Sequence, residues 1–385
     1  MDANKKKGDK VHYFDYSLLA IVIFLMCFGL VMLYSTSSYD AQLELGDSMY
    51  YLKRQGIFSV LGFGIMLAAA KIDYHWFAKF AKLLYWVAMV AMLLVLTPLG
   101  KEFNGARRWL AMPFNLTLQP SEITKIAVIV FIPLLICKMG KHIKNMKVLA
   151  KIFAWGAAAA AGVYLFTDNL STAVIVMGIV CIMIFVAHPK TAPFLVLAGG
   201  GLGLLAVVVK IMDAAMETSE SFRLRRILVW LHPEEYISEG GFQVMQGLYA
   251  IGSGGFFGKG LGNSAQKMII PEAQNDMILS VICEELGVFG VLVLLTMFGI
   301  LLYRLMFVAQ NAPDMYGALM VTGVFAHIAL QVVLNVCVVL NVIPTTGVTL
   351  PFVSYGGTST VFLMAEMGVA LSVSNRIEFD ESEKR

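Results

Sequence analysis

Apolar residues in this chain come in long blocks, cut by shorter polar segments that hold most of the charge. Ten blocks are long enough to cross a bilayer, near 14–36, 56–72, 78–98, 121–138, 147–166, 171–187, 191–210, 276–304, 316–341 and 356–374. The pattern predicts an all-α polytopic membrane protein of about ten transmembrane helices. One large extracytoplasmic loop, 211–275, separates the seventh and eighth. We expect one integral membrane domain over 1–385, with short tails at 1–13 and 375–385. Lys5, Lys6 and Lys7 precede the first block and no small-residue cleavage site follows it, which predicts a retained helix.

Composition supports this. Hydrophobic residues make up 58% and charged residues 14% of the chain, against about 25% charged in a soluble domain. A net charge of +3 is too small to point to nucleic acid. Its distribution says more. Lys71, Lys79 and Lys82, then Lys138, Lys141, Lys144 and Lys147, fall on one side if the spans alternate. The positive-inside rule makes that side the cytoplasm, together with both tails. Segments 35–55, 99–120, 211–275 and 342–355 then face the exterior. The five cysteines all lie in or at the ends of apolar blocks, with no CxxC, so neither a disulfide nor a zinc site is expected.

Several residues break the membrane pattern. Asp276 closes Pro271-Glu-Ala-Gln-Asn-Asp276 at the mouth of a block that also holds Glu284 and Glu285. Acids at bilayer depth cost about 2.5–3.5 kcal/mol each on insertion scales and are functional candidates by default. The exterior segments carry Arg107, Arg108, Arg223, Arg225, Arg226, Lys259 and Lys267. Cations on that side meet either lipid phosphates or the phosphates of a substrate. Gln119-Pro-Ser-Glu-Ile-Thr-Lys125 opens the fourth span. Ser121 is a candidate cap, and Glu122 with Lys125 share a helix face, as an interfacial ion pair or the lining of a polar cavity.

The large loop is glycine-rich at Gly252-Ser-Gly-Gly-Phe-Phe-Gly-Lys-Gly260. It fails the Walker pattern, since Gly260 follows Lys259. Phe256 and Phe257 suggest an element that dips into the bilayer surface. Pro344, Pro351 and their neighbouring glycines shape a non-helical loop ahead of the last block, and Gln331 and Asn335 read as hydrogen-bonding glue between helices. His327 reads as a packing residue, no histidine spacing fits a metal motif, and no GxSxG is present.

These motifs together resemble the SEDS family of bacterial wall-growth proteins, FtsW, RodA and SpoVE. The resemblance rests on Asn104-Gly-Ala-Arg-Arg-Trp109, Gln119-Pro-Ser-Glu122 with Lys125, Gly241-Phe-Gln-Val, Gly254-Gly-Phe-Phe-Gly-Lys-Gly260, Pro271 to Asp276, Glu284-Glu-Leu-Gly287 and Leu350-Pro-Phe-Val-Ser-Tyr-Gly-Gly357. It implies peptidoglycan glycosyltransferase activity on lipid II, with a glycan on undecaprenyl pyrophosphate as donor. It also implies a class B penicillin-binding protein as partner, among other divisome or elongasome membrane proteins. Asp168-Asn-Leu-Ser-Thr-Ala173 stands where RodA commonly has Pro-Asp-Leu-Gly-Thr, which favours the FtsW type.

The family's essential loop aspartate corresponds to Asp276, expected here as general base and, with a magnesium- or manganese-type cation, as metal ligand. No organic cofactor is expected. Arg107, Arg108, Gln119, Ser121, Glu122, Lys125, Lys259 and Ser354 are the expected substrate-binding residues. A lipid II flippase is the competing reading, with Glu284, Glu285 and Glu366 as stations through the bilayer. A structural scaffold is the third, and leaves Asp276 and the exterior arginines without a purpose.

Overall fold

The computed structural model describes residues 10–103, 106–113, 116–190 and 222–380. The helices are α1 (Tyr16–Leu45), α2 (Tyr50–Lys71), α3 (Tyr74–Leu94), α4 (Pro120–Met139), α5 (Met146–Thr167), α6 (Leu170–Ala187), α7 (Phe222–Leu231), α8 (Gly241–Gly254), α9 (Ile278–Gln310), α10 (Met315–Val339) and α11 (Thr358–Ser374). Among the described residues, eight of these are long and apolar enough to cross a membrane, α1 to α6 with α9 and α10. The last apolar block forms the shorter α11. The block at 191–210 lies outside the described residues.

Two expected exterior segments are not loops. Most of 35–55 is helix, because α1 runs on to Leu45 and stops at Gly46, whose φ of 71° forms a left-handed cap. The polar run that suggested a loop is absorbed by the helix. Thr36 and Ser37 donate to the carbonyls of Met32 and Leu33 at 2.8 and 2.7 Å. Segment 99–120 holds an antiparallel sheet of β2 (Gly100–Phe103), β3 (Ala106–Met112) and β4 (Leu116–Leu118).

At one end of the bundle β1 (Lys10–Tyr13) pairs antiparallel with β5 (Ile377–Asp380). Beside that pair, fully buried Asp15 caps α1 by accepting from Leu18 N–H at 2.9 Å. It also accepts from Arg304 Nη2 at 2.7 Å and Nε at 3.0 Å, and its own N–H donates to Ser374 Oγ at 2.9 Å. One residue, through its carboxylate and its own N–H, therefore joins α1, α9 and α11.

The opposite end is organised by a break in α9. Gly287 has φ 71° and ψ −176°, so the helical ladder is interrupted there. Segment 255–260 fills the gap with its own backbone. Lys259 and Gly260 N–H donate to the Glu284 and Glu285 carbonyls at 2.9 Å each, and Val288 and Phe289 N–H donate to the Gly255 and Phe256 carbonyls at 3.1 and 3.0 Å. This contact has room for hydrogen only. A Cβ on Gly254 would stand 2.1 Å from the Cys283 carbonyl oxygen, and one on Gly258 2.2 Å from that of Glu285. The expected exterior loop 211–275 is thus, over 241–275, a helical hairpin packed along the first turns of α9, whose residues Ile278–Glu285 are all buried. Phe256 and Phe257 project from its tip beside Phe289, and all three rings are exposed.

Two helices measure how far apart the ends lie. Tyr16 to Ser35 on α1 and Glu285 to Arg304 on α9 each span nineteen residues, about 29 Å of helix, close to the ~30 Å hydrocarbon thickness. Asp15 bonds Arg304 at one limit and Ser35 bonds Glu285 at the other. Glu284 and Glu285 therefore sit at one end of a bilayer-length stretch of α9. The tip aromatics share that level, where aromatic belts lie.

Gly258→Ala, which combines a backbone clash with a φ of 78°, is expected to cost on the order of 3 kcal/mol or more. Gly252→Ala in the same motif meets open space and should be neutral or stabilising by up to about 1 kcal/mol. Thermal unfolding of both variants in detergent checks the pair.

Candidate functional site

Asp276 lies on a turn, beyond Glu285 by about 12 Å of chain rise, and the turn is held from several elements. Asn335 of α10, fully buried, donates from Nδ2 to the Asp276 carbonyl and to the Val348 carbonyl at 2.8 Å each. Gln243 of α8 donates to Asp276 Oδ1 and to the Pro271 carbonyl, both at 3.3 Å. Tyr355 N–H donates to the Gln274 carbonyl at 3.0 Å, tying in the Leu350–Gly357 loop. Asn335 and Gln331, expected to glue helices, instead fasten loops; Gln331 donates to the Thr349 carbonyl at 3.0 Å. Asp276 is 9% exposed. Burial pushes its carboxyl up to about 6, Glu272 adds to the rise, and Arg226 and Gln243 oppose it.

Strand alternation separates the two arginines of β3. Arg107 is exposed and pairs across the sheet with Glu102 at 3.3 Å. Arg108 turns inward and donates from Nη2 to the Asp168 carbonyl at 3.2 Å. Its buried Nε has no hydrogen-bond partner among the described residues. Arg226 of α7 is half-buried within electrostatic reach of Asp168 and Asp276, and Arg108 in turn feels Arg226. Burial lowers both guanidinium pKa values, and for Arg108 the second cation adds to the fall. Helix α7 is locked where Trp230 Nε1 donates to the Asn341 carbonyl at 2.9 Å and Asn341 Nδ2 returns a bond to the Trp230 carbonyl at 3.2 Å. The side chains of Arg223 and Arg225 lie outside the described residues. Buried Asp276 and half-buried Arg226 and Arg108 thus lie at one end of the bundle with exposed Asp168, two anions and two cations.

Several other expected substrate residues have structural partners. Lys259 bonds Glu284 at 2.6 Å and Ser253 at 2.9 Å, so it neutralises an internal carboxylate and does not bond Asp276. Glu122 and Lys125 form the expected i,i+3 pair, at 2.8 Å and buried. Ser121 is not the cap of α4: Gln119 occupies that position without a side-chain bond, Pro120 opens the helix, and the buried Ser121 hydroxyl lacks a partner among the described residues. Ser354 accepts from Leu350 N–H at 2.8 Å and so closes its own turn. Gln243, Asp168 and the special position of Arg226 were missed. Gln243 stands inside the quoted Gly241-Phe-Gln-Val motif, and that was its only signal.

The acids proposed as stations through the bilayer are internally satisfied. Glu284 also accepts from Ser264 Oγ and from the Ala265 and Gln266 N–H groups. Glu285 accepts from Ser35 Oγ at 2.7 Å and pairs with buried Lys267 at 3.1 Å. Of the three, only Glu366 lies at mid-depth, about 12 Å along α11 from Ser374. It shares a 2.6 Å hydrogen bond with His327 Nδ1, so that histidine does more than pack. A cavity of about 440 Å³ opens between α1, α2 and the returning arm of the hairpin, lined by Leu30, Val31, Tyr34, Ser35, Leu52 and Lys267 among others.

For the expected cation at Asp276, no three His, Cys, Asp or Glu side chains converge among the described residues. The donor set does not make a protein cage. Asp276 offers one carboxylate, which suits an ion held mainly by substrate phosphates.

With this geometry in hand, comparison with known proteins gives the class. The family model described as cell cycle protein, covering FtsW, RodA and SpoVE, matches residues 16–378. The chain belongs to that family. It is 37% identical to stage V sporulation protein E of Bacillus subtilis over 94% of this chain and 96% of that one. It is 37% identical to a probable peptidoglycan glycosyltransferase FtsW of Trichlorobacter lovleyi, over 96% and 95%. Among solved structures it resembles a chain of a peptidoglycan synthase complex described as coordinating polymerization and crosslinking, with a TM-score of 0.77, 27% identity and 94% and 98% coverage. It also resembles the rod shape determining protein RodA of Thermus thermophilus, with a TM-score of 0.66, 25% identity and 94% and 97% coverage.

Two outcomes follow from the charges. Because folding raises the Asp276 pKa from 3.8 to about 6, the ionised wild type loses stability as pH climbs through that window. Asp276→Asn should therefore be more stable by about 2–3 kcal/mol at pH 7 and equal to wild type below about pH 4, as read from unfolding midpoints against pH. Lys267→Met should cost about 3–5 kcal/mol by stranding Glu285, and adding Glu285→Leu should recover much of it, in a double-mutant cycle on unfolding.

Proposed function

We propose that this chain is a peptidoglycan glycosyltransferase that polymerises lipid II at the outer face of the cytoplasmic membrane. The observation that carries the reading is the cluster at Asp276, a near-neutral carboxyl beside two half-buried guanidiniums, held at the loop end of α9 beyond Glu285. A lipid-linked sugar can present its headgroup at that end while its isoprenoid stays in the bilayer. The largely apolar cavity between α1 and α2 supports a place for such a chain. In this reading both termini face the cytoplasm and the Asp276 end faces outward, as the lysine-rich turns suggest.

The reaction is an inverting transfer. The acceptor 4-hydroxyl oxygen forms the new bond to the donor anomeric carbon, and its proton passes to Asp276. The bond from that carbon to the pyrophosphate oxygen breaks, and its electron pair leaves with the pyrophosphate. A base placed this way supplies about 10²–10⁴ of the rate. Arg108 faces the charge that develops on the leaving group. No step is placed on a metal. A magnesium-type ion would contribute by neutralising phosphate charge alongside Asp276.

The similar synthase complex supports a partner that crosslinks what this chain polymerises. A class B penicillin-binding protein has that chemistry. The flippase reading is weakened by the satisfied acids. A path across the bilayer wants exchangeable groups through its depth, and Glu284 and Glu285 are boundary groups locked by lysines.

Purified protein, with and without the partner, should polymerise lipid II in liposomes. Asp276→Ala and Asp276→Asn should leave at most about 1% of the activity. For the wild type, kcat/KM should fall tenfold per pH unit below about 6, since only the ionised carboxylate accepts the proton. Polymer from either folded Asp276 variant at the wild-type rate would remove this residue from the chemistry. Lipid II translocation without polymer would favour transport.

A further inference from the structure

Three tyrosines meet beside the Asp276 turn and have no part in the transfer derived above. Tyr50 and Tyr51 open α2, and Tyr355 comes from the Leu350–Gly357 loop. All three are half-buried. Tyr51 stands edge to face with Tyr355, the ring centroids 5.0 Å apart at 80°, and with Tyr50 at 5.3 Å and 87°. The fold fixes this group from two sides. Gln55, one helical turn after Tyr51 and buried, accepts from the Gly356 and Gly357 N–H groups at 3.3 and 3.0 Å and donates to Thr360 Oγ1 at 2.8 Å. The start of α2 is thereby fastened to the residues that follow Tyr355. Tyr355 N–H in turn donates to the carbonyl of Gln274, just ahead of Asp276, at 3.0 Å. Arg54 donates to the Tyr50 hydroxyl at 3.0 Å, whereas the hydroxyls of Tyr51 and Tyr355 make no hydrogen bond among the described residues. Leu52, the next residue of α2, lines the cavity between α1 and α2 together with Tyr34. The tyrosines thus join that cavity, through Leu52, to the Asp276 turn, through Tyr355.

We infer that Tyr51 and Tyr355 form a sugar-binding platform, which takes an aminosugar ring of a lipid-linked substrate whose tail lies in the cavity; this deepens the glycosyltransferase reading and rests on it. A pyranose carries C–H bonds on its faces and hydroxyls at its rim. The electron-rich face of a phenol ring attracts such C–H groups, and its hydroxyl can bond the rim. Aromatic walls with a few polar groups are the usual means of fixing a ligand's orientation. Tyrosines that only mark the membrane interface face lipid singly from the ends of spans. Here one ring comes from a loop, and the rings pack on each other at near right angles. Such a corner holds a sugar in one orientation, where a flat wall would let it slide. Orientation is what the transfer requires, because a sugar hydroxyl reacts only when it is aimed along the line of attack. Tyr51 and Tyr355 therefore bind substrate and move no proton.

The test compares two probes on the full chain in nanodiscs: undecaprenyl pyrophosphate carrying the two aminosugars of lipid II without the peptide, and bare undecaprenyl pyrophosphate. The wild type should prefer the sugar-bearing lipid. Tyr51→Leu, checked by thermal unfolding, should lower that preference about tenfold and leave the affinity for the bare lipid unchanged. Tyr51→Phe keeps the ring and should retain most of the preference. Tyr355→Leu removes the second ring and should act as Tyr51→Leu does. A tyrosine that merely packs would weaken both probes alike, so equal weakening in a folded leucine variant overturns the platform, as does an unchanged preference. Tyr51→Trp keeps an aromatic face and gives an independent reading that does not depend on either leucine variant folding. Its added fluorescence should shift when the sugar-bearing lipid binds and not when the bare lipid does; an emission blind to the sugars at saturation overturns the platform. Lipid II polymerisation is measured alongside. A wild type that makes no polymer yet shows the Tyr51-dependent preference keeps the platform and fails the transferase reading. Polymer from the wild type with no sugar preference to lose does the reverse.

Discussion

A membrane helix that breaks must find partners for the backbone groups the break frees, because neither lipid nor a packed interior will supply them. In this protein the break is at Gly287, and the partner is the backbone of segment 255–260. The placement of the hairpin follows from that one demand. The glycines of the hairpin tip are required by it, since the two backbones meet with no space for a Cβ at Gly254, Gly258 or Gly287. With the tip fixed, α8 lies along the first turns of α9, and Gln243 reaches the turn that carries Asp276. The catalytic candidate is thus referenced to the hydrocarbon boundary through a rigid chain of contacts.

The charges of this chain do two kinds of work, and burial alone does not tell them apart. Asp15, Glu284 and Glu285 are fully buried, each with a cation and further donors in place. Removing one partner of such a pair strands the other at a cost of about 3–5 kcal/mol, so these pairs fix the two ends of the bundle in a single arrangement. Asp276 is held differently. Its carbonyl is tied down by Asn335, whereas its carboxylate meets its own backbone N–H, a long hydrogen bond from Gln243 and the field of Arg226. The backbone is locked while the acid group stays under-solvated and reactive. That combination destabilises the fold somewhat and suits a proton acceptor.

The cation side follows the same division. Arg304 serves the structural pair at the Asp15 end, and at the Asp276 end lysines do, where a compact ammonium inserts among a carboxylate, a serine hydroxyl and a backbone carbonyl, as Lys267 does with Glu285, Ser35 and Gly262. Arginines gather at the site, where a planar fork can grip a phosphate along two bonds. The two arginines arrive from β3 and α7, elements more than a hundred residues apart, Arg108 held by the Asp168 carbonyl and α7 by the Trp230–Asn341 contact.

Much of the architecture was legible in the chain because hydrophobic blocks report bilayer thickness directly, and Asp276, Arg108 and the glycine motif were legible because polar groups are rare in such a background. The Glu122–Lys125 pair also followed from spacing, being local to one helical face. What spacing could not reveal was depth and pairing. Glu284 and Glu285 read as acids at bilayer depth because they open a long apolar run, yet only tertiary contacts show that each is paired with a lysine. Lys259 read as a substrate ligand and is spent on Glu284. Arg226, Asp168 and Gln243 reach Asp276 from separate segments. The sequence by itself determined the membrane class, the spans and the acid at the loop mouth, since each depends on composition or short-range periodicity. Tertiary structure decided which charges are consumed in pairs and which remain around Asp276, because that depends on contacts between segments distant in the chain.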